Sequence, residues 1–368
     1  MLFLVKRRQE NKDLIPPENS TLTKMDDTSN NTDNSTNVNV LSATVLDTPA
    51  TVKARQPLTS PEQVVAWRRS IVDILAGRDR RLLVIVGPCS VHDPVAVQEY
   101  AKRLAVLQKR CPKLFLVMRT YFEKPRTRKG WSGFLHDPHL DGSCDMQLGV
   151  EQTRGLLIAI VAAGVPCATE TLSLLAPQYF DDLIAFACIG ARTTESQPHR
   201  ELASGLSVPV GFKNSTSGSV VAALNGIVSA SEPKSFMGMT ENGHAAVIRT
   251  SGNPHCCLVL RGGEQPNYRR ADVQRCVDEM GEVYAGIVVD ASHGNSGKDW
   301  QEQIRVVEYL AKNRHSAVRG IMVESFLCDG QQSIHDLPLT YGVSVTDSCI
   351  GWHTTQRLLV DLNASVLG

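Results

Sequence analysis

The sequence predicts a (β/α)8 barrel with an N-terminal extension and an inserted β-hairpin. Eight short apolar runs alternate with amphipathic stretches, a pattern typical of a parallel sheet covered by helices. Side chains that can bind a metal, a phosphate or a carboxylate stand at the ends of these runs. Because parallel strands all end on one face of a barrel, these side chains would gather there. The pattern indicates an enzyme.

A low-complexity tail opens the chain of 368 residues. Residues 26–39 are almost entirely Asp, Ser, Thr and Asn, a composition that buries too little apolar surface to offset the chain entropy lost on folding. We therefore predict a disordered tail over residues 1–50 and a single catalytic barrel domain over residues 51–368. Met25 is a second candidate start of translation.

The folded region is predicted to open with a helix. Ser60 is the predicted N-cap, Pro61 takes the first helical position, and Gln63 completes a capping box. Gly77 marks the C-terminal end. Between these ends, apolar residues recur at helical spacing, namely Val64, Val65, Trp67, Ile71, Ile74 and Leu75.

The strands are predicted from short runs that are apolar almost throughout, as expected for a sheet buried on both faces. They are Leu82–Val86, Leu114–Met118, Pro166–Thr169, Ala187–Ala191, Pro209–Phe212, Cys256–Leu260, Gly286–Val289 and Gly320–Val323. Amphipathic stretches lie between most of them, such as Val95–Leu107, Leu148–Ala163 and Trp300–Lys312. No G-x-G-x-x-G motif follows the first strand, which argues against a dinucleotide-binding sheet.

The interval between the fifth and sixth strands breaks the alternation. Two extended runs, Ser235–Thr240 and His244–Thr250, flank Asn242 and Gly243, and Asn-Gly between extended runs is a strong hairpin signal. This hairpin, at about residues 235–250, is not needed to close a barrel. We interpret it as an accessory element, either regulatory or a subunit contact.

Charge and cysteine usage exclude several classes of protein. Lys plus Arg number 38, as do Asp plus Glu, so the formal net charge is zero and no nucleic-acid partner is expected. The 10 cysteines show no C-x-x-C pair, which predicts reduced thiols in a cytoplasmic protein. The start lacks the apolar core of a signal peptide, and no run approaches the roughly 20 apolar residues of a membrane span, so no membrane partner is expected.

Four side chains at the strand ends form a candidate metal site: Cys89, His293, Glu324 and Asp347. Each has a structural explanation when taken singly, since a cysteine after a strand is usually a buried apolar residue. Their joint placement favours a divalent metal. A set that mixes sulfur, nitrogen and oxygen ligands suits Mn, Fe, Co or Zn better than Mg or Ca.

Basic residues at the same strand ends form a second group: Arg119, Lys124, Arg126, Arg192, Lys213 and Arg261. Cations without interleaved carboxylates repel one another unless an anionic ligand neutralises them. A surface salt bridge could explain any one of them, but not the group. Arginine suits bidentate binding of phosphate and carboxylate, so two phosphorylated substrates, or a phosphorylated carboxylate and a sugar phosphate, are expected.

Long motifs surround these candidate residues. They are Gly87-Pro-Cys-Ser-Val-His-Asp, Arg119-Thr-Tyr-Phe-Glu-Lys-Pro-Arg-Thr, Gly190-Ala-Arg-Thr-Thr-Glu-Ser-Gln, Pro209-Val-Gly-Phe-Lys-Asn, Leu260-Arg-Gly-Gly, Asp290-Ala-Ser-His-Gly-Asn-Ser, Met322-Val-Glu-Ser and Thr346-Asp-Ser-Cys-Ile-Gly-Trp. By these motifs, the chain from about residue 55 onwards resembles the class I 3-deoxy-D-arabino-heptulosonate 7-phosphate (DAHP) synthases.

The resemblance implies a role for each candidate residue. It implies metal ligands at Cys89, His293, Glu324 and Asp347. It implies contacts to phosphoenolpyruvate at Arg119, Lys124, Arg192, Lys213 and Arg261. It implies that erythrose 4-phosphate is received by Lys124, Pro125, Arg126 and Thr127. Catalytic roles go to Lys124, Glu170 and His293, where Glu170 would handle water or a proton.

The implied activity is the metal-dependent condensation of phosphoenolpyruvate, erythrose 4-phosphate and water to DAHP and phosphate, the first step of the shikimate pathway. The resemblance also implies a homo-oligomer, a dimer or tetramer, inhibited by an aromatic amino acid: Phe, Tyr or Trp. Two alternatives remain open. One is the sister enzyme that makes 3-deoxy-D-manno-octulosonate 8-phosphate from arabinose 5-phosphate, and the other is a non-catalytic sensor of sugar phosphate or amino acid. The chain departs from the family pattern at Ser217, in place of an acidic residue, and at His136, in place of asparagine.

Overall fold

The computed structural model describes residues 37–366 apart from residues 282, 284 and 285. In chain order its strands are β1 (Leu82–Gly87), β2 (Leu114–Arg119), β3 (Cys167–Glu170), β4 (Ile184–Ile189), β5 (Val210–Lys213), β6 (Lys234–Met239), β7 (Ala245–Thr250), β8 (Cys256–Leu260), β9 (Ile287–Asp290) and β10 (Val318–Glu324). All except β6 and β7 close into one parallel barrel, in the order β1-β10-β9-β8-β5-β4-β3-β2. The predicted fold class is confirmed.

Helices cover the barrel and connect its strands. They are α1 (Pro49–Arg55), α2 (Pro61–Leu75), α3 (Pro94–Arg110), α4 (Met146–Ala162), α5 (Pro177–Phe180), α6 (Gln197–Gly205), α7 (Val221–Ser231), α8 (Arg270–Met280), α9 (Trp300–Asn313) and α10 (Trp352–Ser365). The three amphipathic stretches predicted from the sequence correspond to α3, α4 and α9. None of the described helices has the length and apolar character to cross a membrane.

The barrel strands are buried along their length, because the barrel interior covers one face and helices cover the other. Ile85 of β1 pairs with Val117 of β2 on one side and with Met322 of β10 on the other. All three side chains are fully buried. A frame packed this closely gives the residues at the strand ends fixed positions.

The compact unit begins earlier than the sequence indicates. It spans Asp47–Gly368, and within it α1 precedes the helix that was predicted to come first. The hydroxyl of Thr48 caps α1 by accepting a hydrogen bond from the Thr51 N–H at 3.2 Å. A helix of seven residues is too short to show an apolar period, so the sequence pattern missed it. Of the tail predicted over residues 1–50, residues 37–46 form neither helix nor strand, and residues 1–36 lie outside the described residues.

Helix α2 begins at the predicted residue but without the predicted capping box. The Ser60 side chain makes no capping hydrogen bond, because φ −135° and ψ 63° take its backbone away from the extended conformation of an N-cap residue. The Gln63 N–H instead donates to the Ser60 carbonyl at 3.2 Å. The apolar stripe is buried as predicted, except that Val65 is 39% exposed. Gly77 follows the helix with a φ of 75°, which suits the predicted stop.

Strand β4 starts three residues and ends two residues earlier than predicted, at Ile184–Ile189 rather than Ala187–Ala191. The strand ends at Ile189 because a turn starts at Gly190. The Gly190 carbonyl accepts hydrogen bonds from the N–H groups of Thr193 at 3.0 Å and Thr194 at 2.9 Å. The segment that carries Arg192 is therefore a loop beyond the strand.

Strands β6 and β7 form the predicted hairpin, with antiparallel register from Lys234↔Thr250 to Met239↔Ala245. Its base packs on α6, where the hydroxyls of Ser204 and Thr250 lie 2.7 Å apart. Its tip contacts α1, since the Ala50 N–H donates to the Glu241 carbonyl at 2.9 Å. The hairpin therefore links the start of the compact unit to the helix that follows the Arg192 loop.

Candidate active site

The carboxyl-terminal ends of the barrel strands surround a polar pocket of about 480 Å³. It is lined by nine cationic side chains, those of Arg119, Lys124, Arg126, Arg128, Lys129, Arg192, Lys213, Arg261 and Lys298. Pro125, Thr127, Glu170, His293 and Asp347 also line it. Every residue predicted to bind substrate thus borders the same pocket.

Three of the four predicted metal ligands converge. Donor atoms of Cys89, Glu324 and Asp347 all lie within 4.8 Å of one another. Donors that share one ion at about 2.0–2.3 Å lie at most about 4.6 Å apart, so this group needs only a small adjustment to hold a metal. His293 is not within this tight group, although it lines the same pocket as Asp347.

His293 is oriented by Asp290, a residue that the sequence analysis quoted in a motif but gave no role. An Asp290 carboxylate oxygen lies 2.8 Å from His293 Nδ1. Burial raises the pKa of Asp290, but the charges of His293 and Lys213 outweigh it and keep that pKa below its ordinary range. With Nδ1 engaged, Nε2 is the nitrogen left for a metal, an arrangement common among metal-binding histidines. The signal in the sequence was an aspartate three residues before the histidine, at a strand end.

Lys124 lies against Cys89. Its ammonium nitrogen is 3.1 Å from the Cys89 sulfur and 3.1 Å from the Cys89 carbonyl oxygen. Burial, and then the charge of Glu324, raise the pKa of the Cys89 thiol. The thiol is therefore protonated at neutral pH in the metal-free protein, and a metal that binds there would release this proton.

The two most deeply buried cations are paired with carboxylates, which corrects the expectation of a group without interleaved acids. Arg119 lies 2.9 Å from Glu324, and both side chains are at most 2% exposed. Lys213 lies 2.6 Å from Glu170. Burial raises the pKa of Glu170, but Lys213 more than compensates and lowers it to about 2. An isolated buried charge is costly, so each of these cations has a partner before any substrate arrives.

Tyr121 is a further residue that the sequence analysis did not single out. The Arg119 guanidinium lies 3.9 Å from the centre of its ring, and the Lys213 ammonium lies 5.5 Å from it. The aromatic face stabilises two buried cations at once. Nearby, Gly190 has no room for a side chain, because a Cβ there would lie 2.6 Å from a Glu170 oxygen. Both residues help to fix the Lys213–Glu170 pair.

Three outer arginines, Arg126, Arg192 and Arg261, have no carboxylate partner among the described residues. The Arg126 Nε donates to the Trp131 carbonyl at 2.8 Å, and Arg192 donates to the Thr127 hydroxyl at 3.2 Å. The Arg261 N–H donates to the Asn214 side-chain oxygen at 2.7 Å, which fixes its backbone. Uncompensated positive charge therefore lies at the mouth of the pocket. Arg128 and Lys129, which the sequence analysis omitted, also line it, as does Lys298, whose ammonium lies 3.4 Å from an Asp347 carboxylate oxygen.

The two departures from the family pattern lie outside the lining of this pocket. The Ser217 hydroxyl is 2.8 Å from that of Ser215. His136 Nε2 is 3.1 Å from a carboxylate oxygen of the buried Glu123. Both side chains thus have local partners that require no substrate.

A (β/α)8 barrel whose strand ends gather cations around a pocket defines an enzyme for anionic substrates. Comparison with known proteins identifies the family. A sequence model of the DAHP synthetase I family matches residues 47–360. The Tyr-sensitive phospho-2-dehydro-3-deoxyheptonate aldolase of Salmonella typhimurium is 47% identical over 342 residues, which cover 90% of this chain and 96% of that protein. The chain belongs to the DAHP synthetase I family.

Two further relatives extend this comparison. The Phe-sensitive phospho-2-dehydro-3-deoxyheptonate aldolase of Escherichia coli K12 is 47% identical over 307 residues, or 81% of this chain and 87% of that protein. The solved structure of the phospho-2-dehydro-3-deoxyheptonate aldolase from Francisella tularensis SCHU S4 superposes with a TM-score of 0.87 at 43% identity. The superposition covers 89% of this chain and 98% of the Francisella tularensis chain.

Proposed function

We propose that this protein condenses phosphoenolpyruvate with erythrose 4-phosphate and water to give DAHP and phosphate. The observation that carries the proposal is the convergence of cations, a buried carboxylate and metal-type side chains on one pocket. Membership of the DAHP synthetase I family supports it over most of the chain. The arrangement suits a reaction that brings two anions together, because positioning and charge neutralisation dominate such a step.

Cys89, His293, Glu324 and Asp347 would hold the divalent metal. The donor set fits such an ion, since a thiol, an imidazole and two carboxylates together suit Mn, Fe, Co or Zn. When bound, the ion supplies Lewis-acid polarisation of the substrate aldehyde. The hydrogen bond between Asp290 and His293 Nδ1 supports this assignment, because it fixes the ring and leaves Nε2 free to bind a metal.

The inner cations would bind phosphoenolpyruvate. Arg119 and Lys213 are buried and lie beside Glu170, which accepts a hydrogen bond from Lys213. C3 of phosphoenolpyruvate attacks the aldehyde carbon, positive charge develops at C2, and water adds there. The bond between C2 and the phosphate oxygen then breaks, and phosphate leaves. Glu170, the carboxylate that accepts a hydrogen bond from Lys213, would accept the proton of that water.

The segment Lys124–Thr127 would receive erythrose 4-phosphate. Arg126 is exposed at the mouth and offers a guanidinium group without a carboxylate partner among the described residues. Thr127 accepts a hydrogen bond from Arg192, which would bind phosphoenolpyruvate, so the two substrate sites adjoin at this residue. An entering sugar phosphate would replace solvent at Arg126 without breaking an ion pair.

An aromatic amino acid is proposed as the inhibitor, with the hairpin β6–β7 as the element that responds to it. The names of the relatives include Tyr-sensitive and Phe-sensitive enzymes. Lys53 of α1 links the hairpin to the barrel, since its ammonium lies 2.7 Å from Glu241 and 2.8 Å from Asp181 just before β4. On the hairpin, Met237 and Val247 pair across the strands and are 87% and 72% exposed. This apolar pair supports a subunit contact in a dimer or tetramer.

The choice of aldehyde substrate tests the proposal. Phosphate release from phosphoenolpyruvate is measured with erythrose 4-phosphate, with arabinose 5-phosphate, and with neither aldehyde. We expect release with erythrose 4-phosphate and formation of the seven-carbon acid. Preference for arabinose 5-phosphate would identify the sister synthase instead, and binding of both substrates without turnover would identify a sensor.

A further inference from the structure

Two cations at the mouth of the pocket have neither a role in the reaction described above nor a carboxylate partner among the described residues. We propose that Arg128 and Lys129, the mouth pair, form an outer anion-binding site that captures the phosphate of the aldehyde substrate before it enters the inner site. This inference rests on the proposed function, because it assumes that the entering substrate is a sugar phosphate. It makes the mouth pair a determinant of substrate capture, distinct from the residues that hold the substrate during reaction.

The loop that carries the mouth pair is fixed at its base. The Lys124 N–H donates to the Ser132 carbonyl at 2.9 Å, and the Arg126 Nε donates to the Trp131 carbonyl at 2.8 Å. Trp131 is buried, and its indole N–H donates to the Asp137 carbonyl at 2.8 Å. Because the two ends of the loop are hydrogen-bonded to each other and Trp131 is buried, Arg128 and Lys129 are held at the rim, where both line the pocket.

The charge of the mouth pair is uncompensated. Inside the pocket, Glu324 pairs with Arg119 and Glu170 pairs with Lys213. Arg128 and Lys129 are exposed and have neither a salt bridge nor a hydrogen bond to any described residue. A cleft lined by one sign of charge raises the local concentration of ligands of opposite sign. Since the inner pairs are neutralised and the mouth pair is not, the mouth is the part of the pocket where an anion is first concentrated.

The position of the mouth pair selects the sugar phosphate over phosphoenolpyruvate. The pair directly follows the segment Lys124–Thr127, which is proposed to receive erythrose 4-phosphate. Arg119 and Lys213, proposed to bind phosphoenolpyruvate, are 0% and 3% exposed and are separated from solvent by the rest of the pocket. Exposed charges act over about 8 Å at physiological ionic strength, so their effect falls mainly on the substrate that docks beside them.

The double substitution Arg128→Gln/Lys129→Gln tests the proposal, with Lys109→Gln/Arg110→Gln as the matched control. The control pair is also adjacent and exposed, but it lies in the last turn of α3, away from the pocket, and it changes the net charge equally. At about 20 mM salt, we expect the mouth variant to lose about fivefold or more in kcat/KM for erythrose 4-phosphate, with kcat unchanged. At about 500 mM salt, the loss should shrink below about twofold.

A second measurement separates this inference from the proposed function. Calorimetry with erythrose 4-phosphate, in the presence of a chelator that prevents turnover, reports capture without chemistry. Weaker binding by the mouth variant than by the control would support the inference even if neither protein released phosphate. The inference is overturned if, at low salt, the mouth variant has the same kcat/KM for erythrose 4-phosphate as the unsubstituted protein. It is also overturned if the control variant loses as much in kcat/KM as the mouth variant.

Discussion

The two fully buried cations of this pocket, Arg119 and Lys213, each have a carboxylate beside them. Lys213 and Glu170 are 43 residues apart in the chain, and Arg119 and Glu324 are 205 apart. A sequence pattern places each residue at a strand end but does not say which strand ends face each other. The desolvation cost of an unpaired charge explains why these partners exist.

Removal of the Glu170 charge should destabilise the protein in a pH-dependent way. Lys213 lowers the pKa of Glu170 to about 2 in the folded protein, against about 4.3 when unfolded. The ionised pair therefore contributes stability above about pH 5 that disappears as the pH falls towards 2. We expect Glu170→Gln to lower the free energy of unfolding at neutral pH by about 3 kcal/mol, measured by urea denaturation.

The surface pair of Glu302 and Arg305 supplies the control for this prediction. These side chains are 40% and 75% exposed, and solvent screens their attraction. Glu302→Gln should change the free energy of unfolding by less than about 1 kcal/mol. Equal stability of Glu170→Gln and the unsubstituted protein at neutral pH would show that the buried pair contributes nothing.

Substitutions of single arginines should separate the two substrates. Arg192→Ala should chiefly raise the KM for phosphoenolpyruvate, and Arg126→Ala that for erythrose 4-phosphate. Loss of one charge-assisted hydrogen bond costs about 1.5–3 kcal/mol, hence roughly tenfold or more in apparent affinity. Steady-state kinetics with each substrate varied in turn measures the split. Equal effects of both substitutions on both substrates would contradict the proposed division of the pocket.

At the scale of secondary structure elements, the sequence predicts the barrel because periodicity is local. Apolar runs and the Asn242-Gly243 turn identify strands and hairpin from neighbouring residues alone. The side-chain geometry at the ends of helices and strands is harder to predict from the sequence. Ser60 has the sequence of a capping box, yet its backbone conformation points the hydroxyl elsewhere. Asp290 could have been found from its spacing to His293, whereas the packing of Arg119 on Tyr121 depends on rotamers that no sequence pattern specifies.

The hairpin should carry feedback inhibition without being needed for catalysis. Its tip is tied to α1, and α1 to the turn before β4, so an effector against it has a short physical route to the Arg192 loop. We expect replacement of residues 237–245 by a tight turn to abolish inhibition while sparing most of the uninhibited rate. Phosphate release is assayed with Phe, Tyr and Trp in turn.

The same assays on Met237→Ser/Val247→Ser, followed by sedimentation, separate regulation from subunit contact. If the variant dissociates into smaller assemblies but is still inhibited, these two side chains belong to a subunit interface and not to the inhibitor site. If millimolar Phe, Tyr and Trp all leave the intact enzyme unaffected, the regulatory interpretation is wrong.

At the scale of the whole molecule, the low-complexity segment should be dispensable. A chain that starts at residue 46 keeps Asp47, whose N–H donates to Gln147 at 3.0 Å and whose carboxylate lies 2.7 Å from Arg55. Its thermal unfolding midpoint and kcat should match those of the full chain, since Asp26–Asn39 has too few apolar residues to pack. A chain that starts at residue 57 loses α1 and the Lys53 contacts, and serves as the comparison. If the chain that starts at residue 46 fails to fold, the domain boundary lies further towards the N-terminus.

The central claim is that condensation in this pocket requires a divalent metal held by Cys89, His293, Glu324 and Asp347. The most direct measurement is the rate of phosphate release that depends on erythrose 4-phosphate, recorded after chelation and again after addition of Mn. We predict that chelation abolishes the rate, that Mn restores it, and that Cys89→Ala neither retains metal nor turns over. Full activity of the chelated protein, or of metal-free Cys89→Ala, would contradict the claim.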